Sequence, residues 1–509
     1  MKYYNDEWVL SDEYGLGGAG DVLARIALEA QAPFTIAVTG KWGSGKTSVL
    51  RRAFATLGGQ PISQAIPLLE QDLQERNSED WDKLSCKIRV EDLAWNRDLL
   101  DAANESLCVW FSPWQHQSEQ NPLIPLLLEI QQQFSTKYKV ISKGKSIARQ
   151  GALATLTLFE RVVDGALSIQ AGKSVKIATG ATEAIQKSWR DTGGDLSKLS
   201  DGQRLHLLFE DAVKNILTSL SNKSDEDNTK NARLIVFIDD LDRCEEQAVV
   251  SLLEAIKLYL GTQRCIFVLG IDDTALLGAL SRVWKERSED DNREYLEKLL
   301  QTTLPVPLPR PDKVTASIAK QLQAHDFPAV DACAKIIELL LEPNPRKIKN
   351  FTNSLCSCWS LFQPQNNPDE EVTAHFIMFH YLRLYHRPIW RLLERQPIAQ
   401  RLLYAVLSNK VTFTETIDGI SDLEEQRMMI SFMQQAFAHV LKQDGGELRE
   451  KTHHGESLAD AICRFQQRQD RKRSDEYFAN WFRSHEDNDA ALDHSYLYLP
   501  DIQITDEPT

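Results

Sequence analysis

The chain contains no run of about 18 consecutive apolar residues, the length a membrane-spanning helix needs. Its opening residues, MKYYNDEWVLSDEYG, lack the apolar core of a secretory signal peptide. Cysteine is sparse, with eight in 509 residues, and several fall in strand-like apolar runs (Cys108, Cys244, Cys265). That usage reads as reduced thiols in a cytoplasmic protein, not as a disulfide framework. Cys356 and Cys358 form a lone C-x-C with no second pair. On a helix the two would point apart, which argues against a zinc site. His375/His380 and His453/His454 also lack metal-ligand companions at sensible spacing. Excess positive charge is missing too. The net charge of -15 disfavours indiscriminate nucleic-acid binding, although a local basic patch remains open.

A chain of this length exceeds one core, so two to four domains are expected. Four runs, FTIAVTG, SLCVWF, RLIVFIDD and CIFVLGID, are apolar without alternation, as buried parallel strands are. TTLPVPLP is a short fifth strand whose prolines suit an edge. Helical patterns separate these runs, among them TSVLRRAFATL, QRLHLLFEDAVKNILTSL and EQAVVSLLEAIKLYL. The alternation predicts an α/β fold, a parallel sheet with helices on both faces. The core is expected over residues 1–310, with insertions at about 58–104 and 137–200. Beyond about Arg310 the strand signal stops. A helical lid over 311–365, a helical C-terminal domain over 366–495 and a flexible tail over 496–509 are expected. No internal repeat is visible.

The stretch from Gly40 to Ser48, GKWGSGKTS, matches the phosphate-binding pattern G-x-x-x-x-G-K-[ST]. Its glycines, Gly40, Gly43 and Gly45, let backbone N–H groups converge on one anion without a blocking Cβ. Trp42, Ser44 and Ser48 complete the turn and the helix start, whose N-terminal dipole faces the same anion. Lys46 is placed to reach β- and γ-phosphates, and the Thr47 hydroxyl to bind Mg²⁺. Such a loop needs a carboxylate from a second strand. LIVFIDDLDR offers Asp239 for the metal and Asp240 to take a proton from attacking water. Arg243 either acts at an interface or pairs with Asp242, and the pair is favoured. Asp272 ends the fourth strand, where a carboxylate senses a γ-phosphate, positions water, or caps the next helix.

Together, TGKWGSGKTS, VWFSPWQHQ, VFIDDLDRC, FVLGID, YLEKLLQTTLPVPLP and NPRKIKNFTN resemble the KAP family of P-loop NTPases. The resemblance runs over roughly residues 10–360 and is absent from the C-terminal third. It implies an additional-strand ATPase core with the Walker B strand (RLIVFIDD) central, and ATP and Mg²⁺ as cofactors. Asp240 holds the catalytic-acid position, where many related ATPases have Glu. Arg346 matches a lid arginine that contacts the γ-phosphate. Trp110, Phe111 and Trp114 are expected to pack and position. Many family members insert membrane-spanning helices between the two Walker motifs. Here the matching 137–200 region is too polar, so a soluble member with no membrane contact is expected. Soluble bacterial members often belong to antiphage defence systems, the four-gene Qat type among them. That implies partner proteins encoded nearby, a nuclease or a nucleobase-modifying enzyme, and leaves a homo-oligomer open.

Two basic runs remain as nucleic-acid candidates. One holds Lys137, Lys139, Lys143, Lys145 and Arg149. The other holds Arg464, Arg468, Arg471, Lys472 and Arg473 beside Phe465, Tyr477, Phe478 and Trp481. Solvated helix faces are the favoured reading of both. The tail YLYLPDIQI either adds a strand to a partner's sheet or covers this chain's own surface. The functional expectation is an ATPase that powers or gates a defence complex. A nucleotide-gated scaffold with little turnover is the alternative, and a nucleic-acid-dependent motor a lesser one.

Overall fold

A computed structural model describes residues 13–58, 102–103, 105–116, 122–141, 148–170, 173–174, 199–220, 231–362, 370–385, 390, 441–444 and 447–450. The expected excursion at 58–104, the second basic run, His453/His454 and the tail lie almost wholly outside them. The chain divides into two compact units that part between Pro307 and Leu308.

Among the described residues the first unit is built on five strands: β1 (Phe34–Thr39), β2 (Leu107–Phe111), β3 (Leu234–Ile238), β4 (Cys265–Ile271) and β5 (Thr302–Pro305). Their order is β2-β3-β4-β1-β5, and every neighbouring pair is parallel. This corrects one expectation. The central strand is β4, and β3, which leads into the carboxylates, lies between β2 and β4. Every residue of β3 and β4 is buried, which explains their continuous apolar sequence. Among the described residues β5 lies at the edge and pairs only with β1, where a proline costs no ladder bond.

Alternate residues of the strands face opposite layers. Leu234, Val236 and Ile238 share one apolar core with Phe267 and Leu269. Five helices feed that core: α3 (Leu123–Ile141), α4 (Ala148–Gln170), α5 (Asp201–Leu220), α6 (Glu246–Ala255) and α7 (Asp273–Val283). α8 (Glu289–Leu299) adds Leu296 and Leu299. Phe237 points the other way, edge-on to Phe54 of α2 (Lys46–Thr56) with centroids 5.5 Å apart. α1 (Gly17–Glu29) packs on α2, tied by Arg52 and Asp21 at 2.9 Å.

Part of the expected 137–200 insertion belongs to this core. α4 buries Phe159, Val162, Val163 and Ala166 at helical spacing, and Phe159 meets Phe209 of α5 edge-on at 6.3 Å. Lys137, first of the basic run, donates to the Ser106 carbonyl at 2.5 Å and so anchors α3 to the start of β2.

The second unit holds α9 (Pro311–Gln323), α10 (Val330–Leu340), α11 (Pro345–Phe362) and α12 (Glu370–Tyr385). Trp359 links them, with Phe327 at 4.6 Å and Phe376 at 5.0 Å. Cys356 and Cys358 are both buried on α11, and among the described residues no group of His, Cys, Asp or Glu has metal-site geometry. The C-terminal region, expected to be mainly α-helical, also holds a short strand pair. β6 (Leu441–Asp444) and β7 (Glu447–Glu450) form an antiparallel pair. The signal was the Gly445-Gly446 dipeptide between them. Its flanks, LKQD and ELRE, are mostly polar and show no alternation of apolar and polar residues. No helix among the described residues is long and apolar enough to cross a membrane.

Candidate functional site

The strand register sets the site. Thr39 ends β1 beside Ile271 of β4, and Ile238 of β3 lies between Leu269 and Phe111. The glycine turn, Asp239, Asp272 and Ser112 therefore all emerge at the carboxyl end of one sheet, where open α/β sheets bind ligands.

Gly45 caps α2 in a left-handed conformation (φ 103°), and a Cβ there would meet Leu16 Cδ1 at 2.6 Å. Only glycine satisfies both constraints. The Ser44 Oγ is buried in this turn without a hydrogen-bond partner among the described residues. Trp42, in the same turn, is 62 % exposed. Lys46 is buried at the helix start. Its Nζ donates to the Gly40 carbonyl at 2.8 Å and lies 3.4 Å from both the Lys41 carbonyl and Asp242 Oδ2.

The Thr47 side chain bonds to the Asp239 carboxylate, joining the turn to the end of β3. Asp239 is buried, and its carboxyl is pushed up to about 6, first by burial and then by the charge of Asp240. The Thr47 bond and the nearby Arg51 pull in the opposite direction. Asp240 adopts a left-handed conformation (φ 59°) and begins a tight turn over Leu241–Arg243. In such a turn residues three apart eclipse. Arg243 Nε therefore meets Asp240 Oδ1 at 2.9 Å, while Asp242 faces Lys46. The expected Asp242–Arg243 pair is thus replaced by two others. Ser112 Oγ adds a donor to Asp240 Oδ2 at 3.4 Å, and Arg243 lies 5.5 Å from the Trp114 ring.

Asp272 takes the capping alternative. Its Oδ1 accepts from the Thr274 and Ala275 amides at 3.1 and 3.3 Å, at the N-terminus of α7. The next residue, Asp273, feels the charge of Lys46, although burial and Asp272 raise its carboxyl overall. Sequence reasoning missed Asp273. It also missed Arg51, whose position four residues after Thr47 places both on one helix face. Trp110 and Phe111 pack as expected: Trp110 stacks on Phe237 at 6.2 Å, and Phe111 is buried against His116. Arg346 is the second residue of α11 and belongs to the helical unit.

The turn suits a polyphosphate, since its orphaned Ser44 hydroxyl and helix N-terminus both seek an anion. The Thr47 hydroxyl and Asp239 carboxylate supply hard oxygens of the kind Mg²⁺ takes.

Residues 21–362 match the family described as the KAP family P-loop domain. Over 165 residues the chain is 24 % identical to an uncharacterized protein of Methanocaldococcus jannaschii, covering 31 % of this chain and 85 % of that one. Among solved structures it is similar to the Walker-type ATPase of Pyrococcus abyssi, with 11 % identity and a TM-score of 0.30 over 93 % of this chain and 96 % of that one. The ORC2 protein of Aeropyrum pernix, solved as ADPNP–ADP complexes, is similar at 12 % identity and a TM-score of 0.30, over 92 % and 93 %. Scores that low carry no structural argument. The family match rests on sequence, spans more than half of the chain and includes both the glycine turn and the β3 carboxylates, so the chain belongs to the KAP family of P-loop NTPases.

Proposed function

We propose that this protein binds and hydrolyses ATP with Mg²⁺. One observation carries the reading: the Thr47 side chain bonds to Asp239, so the phosphate turn and the carboxylate strand already form one unit. In this reading Gly40, Trp42, Gly43, Ser44, Gly45 and Ser48 surround the phosphates. Lys46 leaves Asp242 for the β- and γ-phosphates. Thr47 and Asp239 hold Mg²⁺, which when bound offsets phosphate charge. Asp240 takes the proton of the attacking water. Asp272 fixes the start of α7, and Asp273 feels the lysine's charge. Arg346 is assigned to the γ-phosphate on the family resemblance.

The finer reading is that turnover powers or gates a multi-protein antiphage defence complex of the Qat type in the bacterial cytoplasm. Its partners would be a nuclease or a nucleobase-modifying enzyme encoded nearby. The motif resemblance is its support. A gene neighbourhood with neither enzyme would remove that support.

Steady-state phosphate release tests the core proposal. If wild type releases no more phosphate than Lys46→Ala, alone and with its operon partners, the enzyme reading fails. One observation favours a scaffold instead: Asp240 is engaged by Arg243 at 2.9 Å. A scaffold binds nucleotide tightly yet stays silent in both wild type and Arg243→Ala. A base held back by Arg243 gives faster release in Arg243→Ala.

A further inference from the structure

Arg51 lies one helical turn beyond Thr47 on α2, so the two side chains leave the same face. Thr47 bonds Asp239, and Arg51 interacts electrostatically with both Asp239 and Asp240. The guanidinium is seated. Its Cζ lies 3.5 Å from the centroid of Trp110. Trp110 is itself fixed, stacked on Phe237 at 6.2 Å and 11° and edge-on to Phe54 at 5.6 Å. Phe237 of β3 is two residues before Asp239 and is paired in register with Trp110. The aromatic stack therefore ties the position of Arg51 to the position of the carboxylates.

Two adjacent carboxylates at a sheet end repel each other unless a cation stands near. Three side chains supply positive charge here. Lys46 pairs with Asp242, and a phosphate would draw it away. Arg243 is about one-third exposed on a surface turn (37 %). Arg51 alone of the three lies against a stacked aromatic pair. Burial lowers its pKa only to about 10, so it remains a cation near neutral pH.

We propose that Arg51, seated on Trp110, is a positioning residue that holds the Asp239–Asp240 pair assembled when no Mg²⁺ is bound. It is a built-in counter-cation whose loss makes the fold depend on the metal. The inference rests on the metal–nucleotide reading above.

Thermal unfolding of the full chain tests it in three buffers: EDTA alone, ADP with EDTA, and ADP with Mg²⁺. Arg51→Met keeps much of the volume and removes the charge. It should melt earlier in EDTA, and its rise on adding Mg²⁺·ADP should exceed that of wild type by about 2–4 °C. Arg51→Lys keeps the charge and should keep the wild-type rise. If Arg51→Met melts earlier by the same amount in every buffer, Arg51 only packs, and the proposal is overturned. It is equally overturned if Arg51→Lys behaves like Arg51→Met. A wild type that gains nothing from Mg²⁺·ADP sinks the metal–nucleotide reading itself, which separates the two failures. Should Arg51→Met give no folded protein, the double variant Arg51→Met/Asp240→Asn decides. Recovery of folded protein supports charge compensation, and continued failure refutes it.

Discussion

Gly270 is the residue whose replacement tests the site geometry most sharply. It is the penultimate residue of β4, in register with Val38 of β1. A methyl group there would lie 2.7 Å from Leu50 Cδ1 and 2.9 Å from Asp239 Oδ1. Ordinary contacts between such atoms are about 3.5–4.0 Å, so something must move. Leu50 is fully buried (0 % exposed) and has little room to retreat. The Asp239 carboxylate is held by the Thr47 side chain, so the clash bears on that bond. Overpacking of this kind costs about 1–3 kcal/mol. Gly270→Ala should therefore lower stability by about that amount in urea unfolding with EDTA. It should also turn Asp239 away from Thr47 and weaken Mg²⁺·ATP binding by about tenfold, the equivalent of about 1.4 kcal/mol. Gly278 on α7 is the control, because an added Cβ there meets nothing within 4 Å. Gly278→Ala should be neutral or gain up to about 1 kcal/mol from helix propensity. Wild-type stability together with wild-type Mg²⁺·ATP affinity in Gly270→Ala would refute the placement of Asp239 at the metal.

The pair Lys46–Asp242 is mostly buried, with side chains 7 % and 11 % exposed. Lys46→Met should lower metal-free stability by about 1–3 kcal/mol, because Asp242 is left without that cation. Lys46→Met/Asp242→Asn should regain stability in urea but not nucleotide binding, and regained binding would sink the phosphate role of Lys46. Asp239 is an acid whose folded value, about 6, lies above its ordinary 3.8. The folded state then holds the proton more tightly, so this group's contribution to stability falls as pH rises from 4 to 6 and stays lost above. In EDTA at pH 7.5, Asp239→Asn should raise stability by up to about 3 kcal/mol, a gain that vanishes near pH 4. Mg²⁺-dependent nucleotide affinity should fall as pH drops from 7 to 5, and a flat profile would count against Asp239 as ligand. His380 is buried on α12, 5.2 Å from Phe351, with neither ring nitrogen bonded among the described residues. Burial, and then Arg383, lower its pKa to about 3. The unfolded chain therefore binds the proton first, and stability falls as pH drops from 6.5 towards 3. His380→Phe should flatten that acid limb, worth about 5 kcal/mol at its foot. Unchanged pH dependence in thermal unfolding would refute the assignment.

The parts of the site that were legible in the sequence are those fixed by local geometry. A glycine turn between a buried strand and a helix has few ways to fold, so the positions of Lys46 and Thr47 follow from spacing. Other parts depended on competition between equal neighbours. Asp272 and Asp273 are adjacent carboxylates, and the free amides at the start of α7 decided which one became the cap. Asp240 and Asp242 both had a claim on Arg243, and the left-handed turn at Asp240 decided that. The α4 stretch was unreadable for another reason. It is rich in Ala and Gly, and its buried apolar positions among the described side chains are Phe159, Val162, Val163 and Ala166. Strand order was beyond local reading altogether, because β1–β4 pairing joins residues more than 200 apart in sequence.

The two unexpected ion pairs bear on how such a site changes state. Lys46 with Asp242 and Arg243 with Asp240 each join a group assigned to chemistry to a partner that has none. On the proposed reading, Mg²⁺·ATP brings phosphates for the lysine and a cation for the carboxylates. Both internal pairs are then replaced rather than lost. An exchange of pairs leaves a smaller free-energy difference between the two states than simple breakage would, and a ligand's differential affinity can tip such a balance. The exchange needs some charge that stays in place while the others change partners. Arg51 on Trp110 meets that requirement, since its charge acts on both carboxylates from the helix face that also carries Thr47.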